Sequence, residues 1–200
     1  MRGTNRYANE AEYGEFTGAS KYCLGIIKEF LHFHQHYIAA CREMNVSYKL
    51  IDILASDWIA RVQNCGCDAF LVWPSAITVT LKELYDERLK VMVDDLNKTI
   101  FPSYDELWMW ESKRRMRDWL VAHGYPTPLT WIFYRYSEAM EFIRNAELPI
   151  VFKTNHGDSS RGVEIIRDRK IAEKLTKKVF SRGVAVDSAL SGELQCGNIL

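Results

Sequence analysis

The chain has 200 residues, 48% of them hydrophobic and 26% charged, which is the mixture of an ordinary globular protein with one large or two small domains. Lysine plus arginine and aspartate plus glutamate each number 26, so the formal net charge is zero. This balance argues against nucleic acid or an anionic membrane surface as a partner, and no apolar run approaches the roughly 20 residues that cross a bilayer.

The first half of the chain alternates short apolar runs with helical stripes. Residues 1–20 lack any periodicity and are predicted to be a leader or loop. Because parallel strands need crossover connections, the pattern that follows favours an α/β fold with a Rossmann-like parallel sheet over residues 21–102. The predicted strands are 22–27, 48–54, 69–73 and 100–101, and the predicted helices are 33–44, 58–66 and 78–97.

Beyond residue 102 the pattern changes. Ser112 is placed to cap a helix that ends at Gly124, and Pro126 and Pro128 then force an extended turn. Two later strands are joined by a polar loop without a helix, which predicts an antiparallel hairpin. The predicted strands here are 129–134, 150–154 and 163–166, and the predicted helices are 137–145 and 170–180. Residues 184–200 are weakly patterned and are assigned no element.

The hairpin carries residue types that suit a phosphate site. Lys153 lies near the end of a strand predicted to be buried, where its charge is costly unless it meets a partner. The loop that follows contains glycines, which allow backbone N–H groups to approach an anion, and serines, which add donors. Gly157 to Gly162 has the spacing of a P-loop, but Val163 follows where lysine and serine or threonine are required. The residues alone leave two interpretations open, a phosphate-covering flap and an ordinary polar turn.

The stretch from about residue 100 to 183 resembles the ATP-grasp family in the order and spacing of several motifs. These are a lysine that opens a helix, a Gly-x-Pro-x-Pro turn, a Pro-x-Val-x-Lys strand, and a Gly/Ser loop closing on glycine and valine: Lys113, Gly124, Pro126, Pro128, Pro149, Val151, Lys153, Gly162 and Val163. The resemblance implies a pre-ATP-grasp domain at 21–102, followed by an α+β ATP-grasp subdomain at 103–200 that lacks the second ATP-grasp lobe.

An ATP-grasp enzyme phosphorylates a carboxylate with ATP and lets an amine or similar nucleophile displace the phosphate. The resemblance therefore implies the N-terminal portion of such a ligase, with a small-molecule or peptide carboxylate as substrate. Lys153 would contact the α- and β-phosphates, Lys113 would reach the phosphates from the neighbouring subdomain, and a mobile loop would cover them. The implied ATP-binding residues are Lys113, Lys153, His156, Gly157, Asp158, Ser159, Ser160, Arg161 and Gly162. Each of three residues also has an alternative role without ATP. Lys113 could be a solvated residue at a helix start, His156 a turn residue and Arg161 a surface charge.

The sequence departs from the family at its end. Nothing after residue 183 matches the adenine hinge or the metal ligands of the second lobe, and Asp187 and Glu193 are isolated carboxylates. We therefore expect a truncated chain whose Mg²⁺ ligands lie outside it, and the catalytic residues stay unassigned. The alternative is a non-catalytic module, either a degenerate nucleotide binder or an interaction domain.

The cysteine and histidine patterns do not establish a metal site. The five cysteines form no C-x-x-C pair, and Cys65 and Cys67 are more simply two thiols at a helix end than a soft-metal site. His32 and His36 would share a helical face and suggest either a metal site, a substrate contact or solvent-facing side chains. With no apolar segment of a secretory signal in the first ten residues, we expect a cytoplasmic protein.

Overall fold

The computed structural model describes residues 14–74, 78–156 and 162–182. Its described residues divide into two compact units. Those up to Trp108, except Thr78, form unit 1, and those from Met109 onward form unit 2. No described helix is both long enough and apolar enough to span a bilayer.

Unit 1 is built on a five-stranded sheet with the order β1-β3-β2-β4-β5. Strands β2 to β5 run parallel to one another, and β1 is antiparallel to β3. The predicted α/β class with a Rossmann-like parallel sheet is confirmed. The strands are β1 (Glu15–Phe16), β2 (Cys23–Ile27), β3 (Ser47–Ile51), β4 (Ala69–Leu71) and β5 (Ile100–Phe101), and the helices are α1 (Gln35–Glu43), α2 (Trp58–Asn64), α3 (Val79–Asp94) and α4 (Tyr104–Met109).

Successive residues of a strand point to opposite faces of the sheet, and buried apolar residues lie on both faces here. Ile27 packs on one side with Phe70, Leu89 and other residues of the larger cluster. Its neighbour Ile26 packs on the other side with Ile38 of α1 and others. Near-continuous apolar runs such as β2 are therefore explained by burial on two faces.

The structure of unit 1 contains two elements that were not predicted. The leader prediction is wrong at β1, where Phe16 pairs with Tyr48 and their ring centroids lie 6.0 Å apart. This edge strand has only two residues, too few to show a period, and the aromatic contact helps to hold it against β3. Helix α4 was not predicted at all. Its start is a capping box, in which the Ser103 N–H and hydroxyl both donate to the Glu106 carboxylate, at 2.8 and 2.7 Å.

Unit 2 consists of α5 (Lys113–Ala122), α6 (Tyr136–Asn145), β6 (Ile150–Lys153), β7 (Val163–Ile166) and α7 (Arg169–Arg182). Strands β6 and β7 form the predicted antiparallel hairpin. The hydrophobic cluster beneath the hairpin is small. Three of its members are buried, Ile143, Ile166 and Ala172, and four partly buried side chains lie around them, Phe142, Ile150, Phe152 and Leu175.

The predicted strand at 129–134 is wrong, since this segment forms no ladder. Its aromatic side chains pack instead on Phe142 of α6, with ring centroids 4.7 Å away for Trp131 and 5.2 Å for Phe133. Leu129 is 85% exposed. Some of the apolar side chains that suggested a strand are thus packed against the Phe142 ring of α6, although the backbone of the segment pairs with no described strand.

Candidate functional site

The β6–β7 hairpin has two unlike faces. Ile150, Phe152 and Ile166 turn toward the core of unit 2. On the opposite side Val151 lies across from Ile165, and Lys153 lies across from Val163. Val151 and Ile165 are 53% and 54% exposed, and Lys153 is exposed as well. We call these four residues (Val151, Lys153, Val163 and Ile165) the open face, a small apolar surface with one cation at its end.

Asn155, just beyond β6, ties this end of the hairpin to the start of α5. Its side-chain oxygen accepts from the Arg114 N–H at 2.9 Å and from the Ser112 hydroxyl at 3.3 Å. Its backbone carbonyl accepts from the Lys113 N–H at 3.2 Å. We call these three hydrogen bonds the Asn155 clamp. Because of the clamp, Lys113 begins its helix at the end of the strand that carries Lys153.

The start of α5 favours an anion electrostatically. Its first turn carries Lys113, Arg114 and Arg115 and no acidic residue. The N-terminus of a helix is the positive end of its macrodipole, so the three cationic side chains are repelled by the dipole as well as by one another. A bound anion would offset both repulsions. The Arg114 guanidinium lies over the Tyr134 ring at 5.5 Å and donates to its hydroxyl at 2.9 Å. Its buried Nε finds no acceptor among the described residues.

The base of the loop between β6 and β7 is tightly closed. The Thr154 N–H donates to the Gly162 carbonyl at 2.9 Å, and the Thr154 hydroxyl donates to the His156 carbonyl at 2.7 Å. Gly162 has φ +69°, and a Cβ there would lie 2.2 Å from the Thr154 hydroxyl. Position 162 therefore requires glycine for both backbone conformation and space.

Four of the predicted site residues lie at this end of the hairpin and at the start of α5: Lys113, Lys153, His156 and Gly162. The other five fall outside the described residues, and their phosphate-binding role stays a prediction: Gly157, Asp158, Ser159, Ser160 and Arg161. Sequence reasoning missed Asn155 and Arg114. Asparagine is a strong capping residue, but Asn155 lies 41 residues from the helix position it serves, so no local pattern could reveal it.

His34 and His36 of unit 1 contact neighbouring residues of that unit. His34 is 3% exposed, and its Nδ1 accepts from the Glu29 N–H at 3.1 Å. The His36 ring lies 6.2 Å from the Trp73 ring. Over the part of the chain that the structure describes, no group of three or more histidine, cysteine, aspartate or glutamate side chains is arranged to hold a metal ion.

No protein-family model matches the chain, and no curated protein matches its sequence. Solved structures do match its fold. The RimK domain protein ATP-grasp from Sphaerobacter thermophilus aligns with a TM-score of 0.52 and 14% identity over 82% of this chain. N5-carboxyaminoimidazole ribonucleotide synthetase from Thermus thermophilus gives 0.56 and 16% over 80%. N5-carboxyaminoimidazole synthase from Aspergillus clavatus, in complex with ADP and 5-aminoimidazole ribonucleotide, gives 0.54 and 11% over 81%.

These likenesses show that the chain has the fold of the ATP-grasp superfamily over most of its length, as the motifs predicted. The chain spans 60% of the Sphaerobacter protein and 45% of each of the other two.

Proposed function

We propose that this chain, whose fold is that of the ATP-grasp superfamily, is the N-terminal portion of an ATP-dependent ligase that joins a carboxylate to an amine or similar nucleophile through an acyl phosphate. The observation that carries the proposal is the pairing of the open face with a basic helix start. A nucleotide has a flat apolar base and a polyanionic tail, and this surface offers an apolar patch beside Lys153 and Lys113.

The residues fit ATP by their chemistry. Val151 and Ile165 present the apolar surface that a base requires, and Lys153 continues the same face toward the end of β6. Lys153 would bind the α- and β-phosphates, Lys113 would reach the phosphates from α5, and His156 to Gly162 would cover them. Support also comes from one of the matched structures, which is a complex with ADP. Mg²⁺, when bound with ATP, would neutralise phosphate charge.

The reaction proceeds in two steps. A carboxylate oxygen of the substrate attacks the γ-phosphorus of ATP, and the bond to ADP breaks, which gives an acyl phosphate and ADP. The amine nitrogen then attacks the acyl carbon, and inorganic phosphate leaves as the nitrogen loses a proton. In the first step negative charge builds on the oxygen that leaves with ADP. Lysine side chains at the phosphates would stabilise that charge.

Thermal unfolding with and without Mg-ATP tests the nucleotide site. A ligand at 100 times its dissociation constant stabilises a protein by about 2.7 kcal/mol, and we expect protection of this order in the wild-type chain. Lys153→Ala should abolish most of it, whereas Lys174→Ala, which removes an exposed lysine of α7, should leave it intact. Equal protection in both variants would refute the role of Lys153.

ADP release on addition of carboxylates and amines tests the ligase reaction itself. A protein that binds Mg-ATP but releases no ADP with any carboxylate would support the non-catalytic nucleotide-binding alternative. A chain that shows no protection at all would support the interaction module.

A further inference from the structure

The first turn of α5 is capped from a distant part of the chain. The N–H groups of a first helical turn have no partners within the helix. Ser112 occupies the position where a serine usually caps, yet its side chain makes no capping hydrogen bond to the helix. The Arg114 N–H donates instead to the Asn155 side chain at 2.9 Å, and the Lys113 N–H donates to the Asn155 carbonyl at 3.2 Å.

The side-chain amide of Asn155 is used at both ends. Its oxygen accepts from Arg114 and from the Ser112 hydroxyl. Its nitrogen lies 3.1 Å from Nδ1 of His156, as a donor to that ring. Asparagine supplies both an acceptor and a donor at this length, aspartate supplies only acceptors, and leucine, of similar shape, supplies neither. The amide therefore joins the helix start, the strand end and the beginning of the loop.

We infer that Asn155 is a positioning residue of the nucleotide site, which caps α5 and thereby holds Lys113 at the end of β6 that carries Lys153. This inference rests on the proposed function. The two lysines lie 40 positions apart in the sequence, and the clamp joins the backbone of Lys113 to the residue just beyond the strand that carries Lys153. A cation that must meet a phosphate loses much of its effect when its backbone shifts by as little as about 1 Å. Asn155 thus acts on the nucleotide through Lys113.

Amide hydrogen exchange tests the cap without any ligand. In Asn155→Leu the Arg114 amide should exchange about fivefold faster, the ratio that corresponds to a net hydrogen bond of about 1 kcal/mol. Asn155→Asp keeps the acceptor and should restore the protection of Arg114, and it also serves as the folded variant if the leucine substitution prevents folding. The matched control is Asn145→Leu, which removes an exposed asparagine that donates to the Glu141 carbonyl in α6. Unchanged exchange at Arg114 in Asn155→Leu would overturn the inference.

A double-mutant cycle on the dissociation constant of Mg-ATP, measured by calorimetry on the full chain, tests the positioning role. Asn155→Leu alone should weaken binding about fivefold, in proportion to the lost hydrogen bond. In the Lys113→Ala background the same change should weaken binding no further, because its effect passes through Lys113. In the Lys153→Ala background the weakening should persist.

The outcomes separate this inference from the proposed function. Faster exchange with an unchanged dissociation constant would leave Asn155 as a cap of α5 only and would overturn the positioning role. Equal weakening in the Lys113→Ala background would overturn the route through Lys113. If the wild-type chain binds no Mg-ATP, the proposed function fails and the positioning role fails with it, whereas the exchange data still establish whether the cap exists.

Discussion

The two units of this chain use their apolar side chains differently. Unit 1 buries residues on both faces of a parallel sheet, and its larger cluster has 13 buried members. Among the described residues of unit 2, the hydrophobic cluster beneath the hairpin has three buried members, and Val151 and Ile165 stay about half exposed on the outer face of the hairpin. A surface that will contact a ligand must stay uncovered by the protein's own core. The open face of unit 2 is exposed in the way that the proposed nucleotide site requires, whereas the apolar residues of the unit 1 clusters are buried.

The same contrast holds for lysine. In unit 1, Lys82 is 1% exposed, pairs with Asp86 and donates to the Leu107 carbonyl at 3.0 Å. In unit 2, Lys153 is exposed on the open face. A buried cation needs its full set of partners, since an unpaired one is strongly destabilising. An exposed cation carries no such requirement and is available for a ligand.

The largest expected effect comes from breaking the buried pair of unit 1. Lys82→Met removes the ammonium group that pairs with the buried Asp86 carboxylate, and we expect a loss of about 3–5 kcal/mol in the free energy of unfolding. The matched control is Lys90→Met in the same helix, because Lys90 and Asp94 form a pair with the same spacing at the surface. This variant should change stability little. Urea unfolding followed by circular dichroism measures both, and equal losses would contradict the assignment of Lys82 to the core.

A leucine in each unit tests whether the cores differ in strength. Leu89 of α3 is 1% exposed within the large cluster, and Leu89→Ala should cost about 2–5 kcal/mol. Leu175 of α7 is only partly buried against the small core of unit 2, so Leu175→Ala should cost clearly less. Tryptophan fluorescence during urea unfolding follows the change. A larger loss for Leu175 would mean that unit 2 has a stronger core than its burial indicates.

Most of the fold could be predicted from the sequence, because strongly apolar runs and helical stripes decide it. The buried runs at β2, β3 and β4 predicted the parallel sheet, and two strands without an intervening helix predicted the β6–β7 hairpin. Strand β1 was missed because two residues show no period and are fixed by a contact between Phe16 and Tyr48 that is distant in sequence.

The candidate site could be predicted only in part. Lys113 and Lys153 were predicted as site residues from the ATP-grasp resemblance, at a helix start and a strand end, and their contact with phosphate stays a prediction. Asn155 was missed because its role depends on hydrogen bonds to residues more than 40 positions earlier. Ser112 looked like the cap of α5 by local pattern, but the three-dimensional arrangement gives that role to Asn155. Tertiary contacts override local capping preference here.

Two glycines are required for different reasons, Gly25 because of the space around it and Gly124 because of its backbone conformation. A Cβ at Gly25 in β2 would lie 2.3 Å from a ring carbon of Phe70, so Gly25→Ala should cost about 1–3 kcal/mol through overpacking. Gly124 in unit 2 has φ +70° and open space around it, so Gly124→Ala should cost about 1 kcal/mol through backbone strain alone. Thermal unfolding measures both. Asparagine, which tolerates positive φ, should recover part of the loss at 124 and none at 25. Recovery at both positions would refute the steric account of Gly25.

The smallest expected effect compares two serines at helix starts. Ser103→Ala removes the cap of α4 and should cost about 1 kcal/mol. Ser112→Ala should cost less, because Asn155 caps α5. Hydrogen bonds from Ser103 also lower the pKa of the Glu106 carboxyl. A lowered pKa in the folded state adds stability above the carboxyl's ordinary pKa, and that stability is lost as the pH falls through the folded value.

Ser103→Ala should therefore raise the pKa of Glu106 toward its ordinary value, as NMR titration can measure, and should weaken the acid dependence of stability. Ser112→Ala should leave the Glu106 titration unchanged and serves as its control. A stability loss in Ser112→Ala as large as that in Ser103→Ala would show that Ser112 itself caps α5. Asn155 would then lose its role as the cap, and the proposed link between Lys113 and the end of β6 would rest on the Lys113 backbone bond alone.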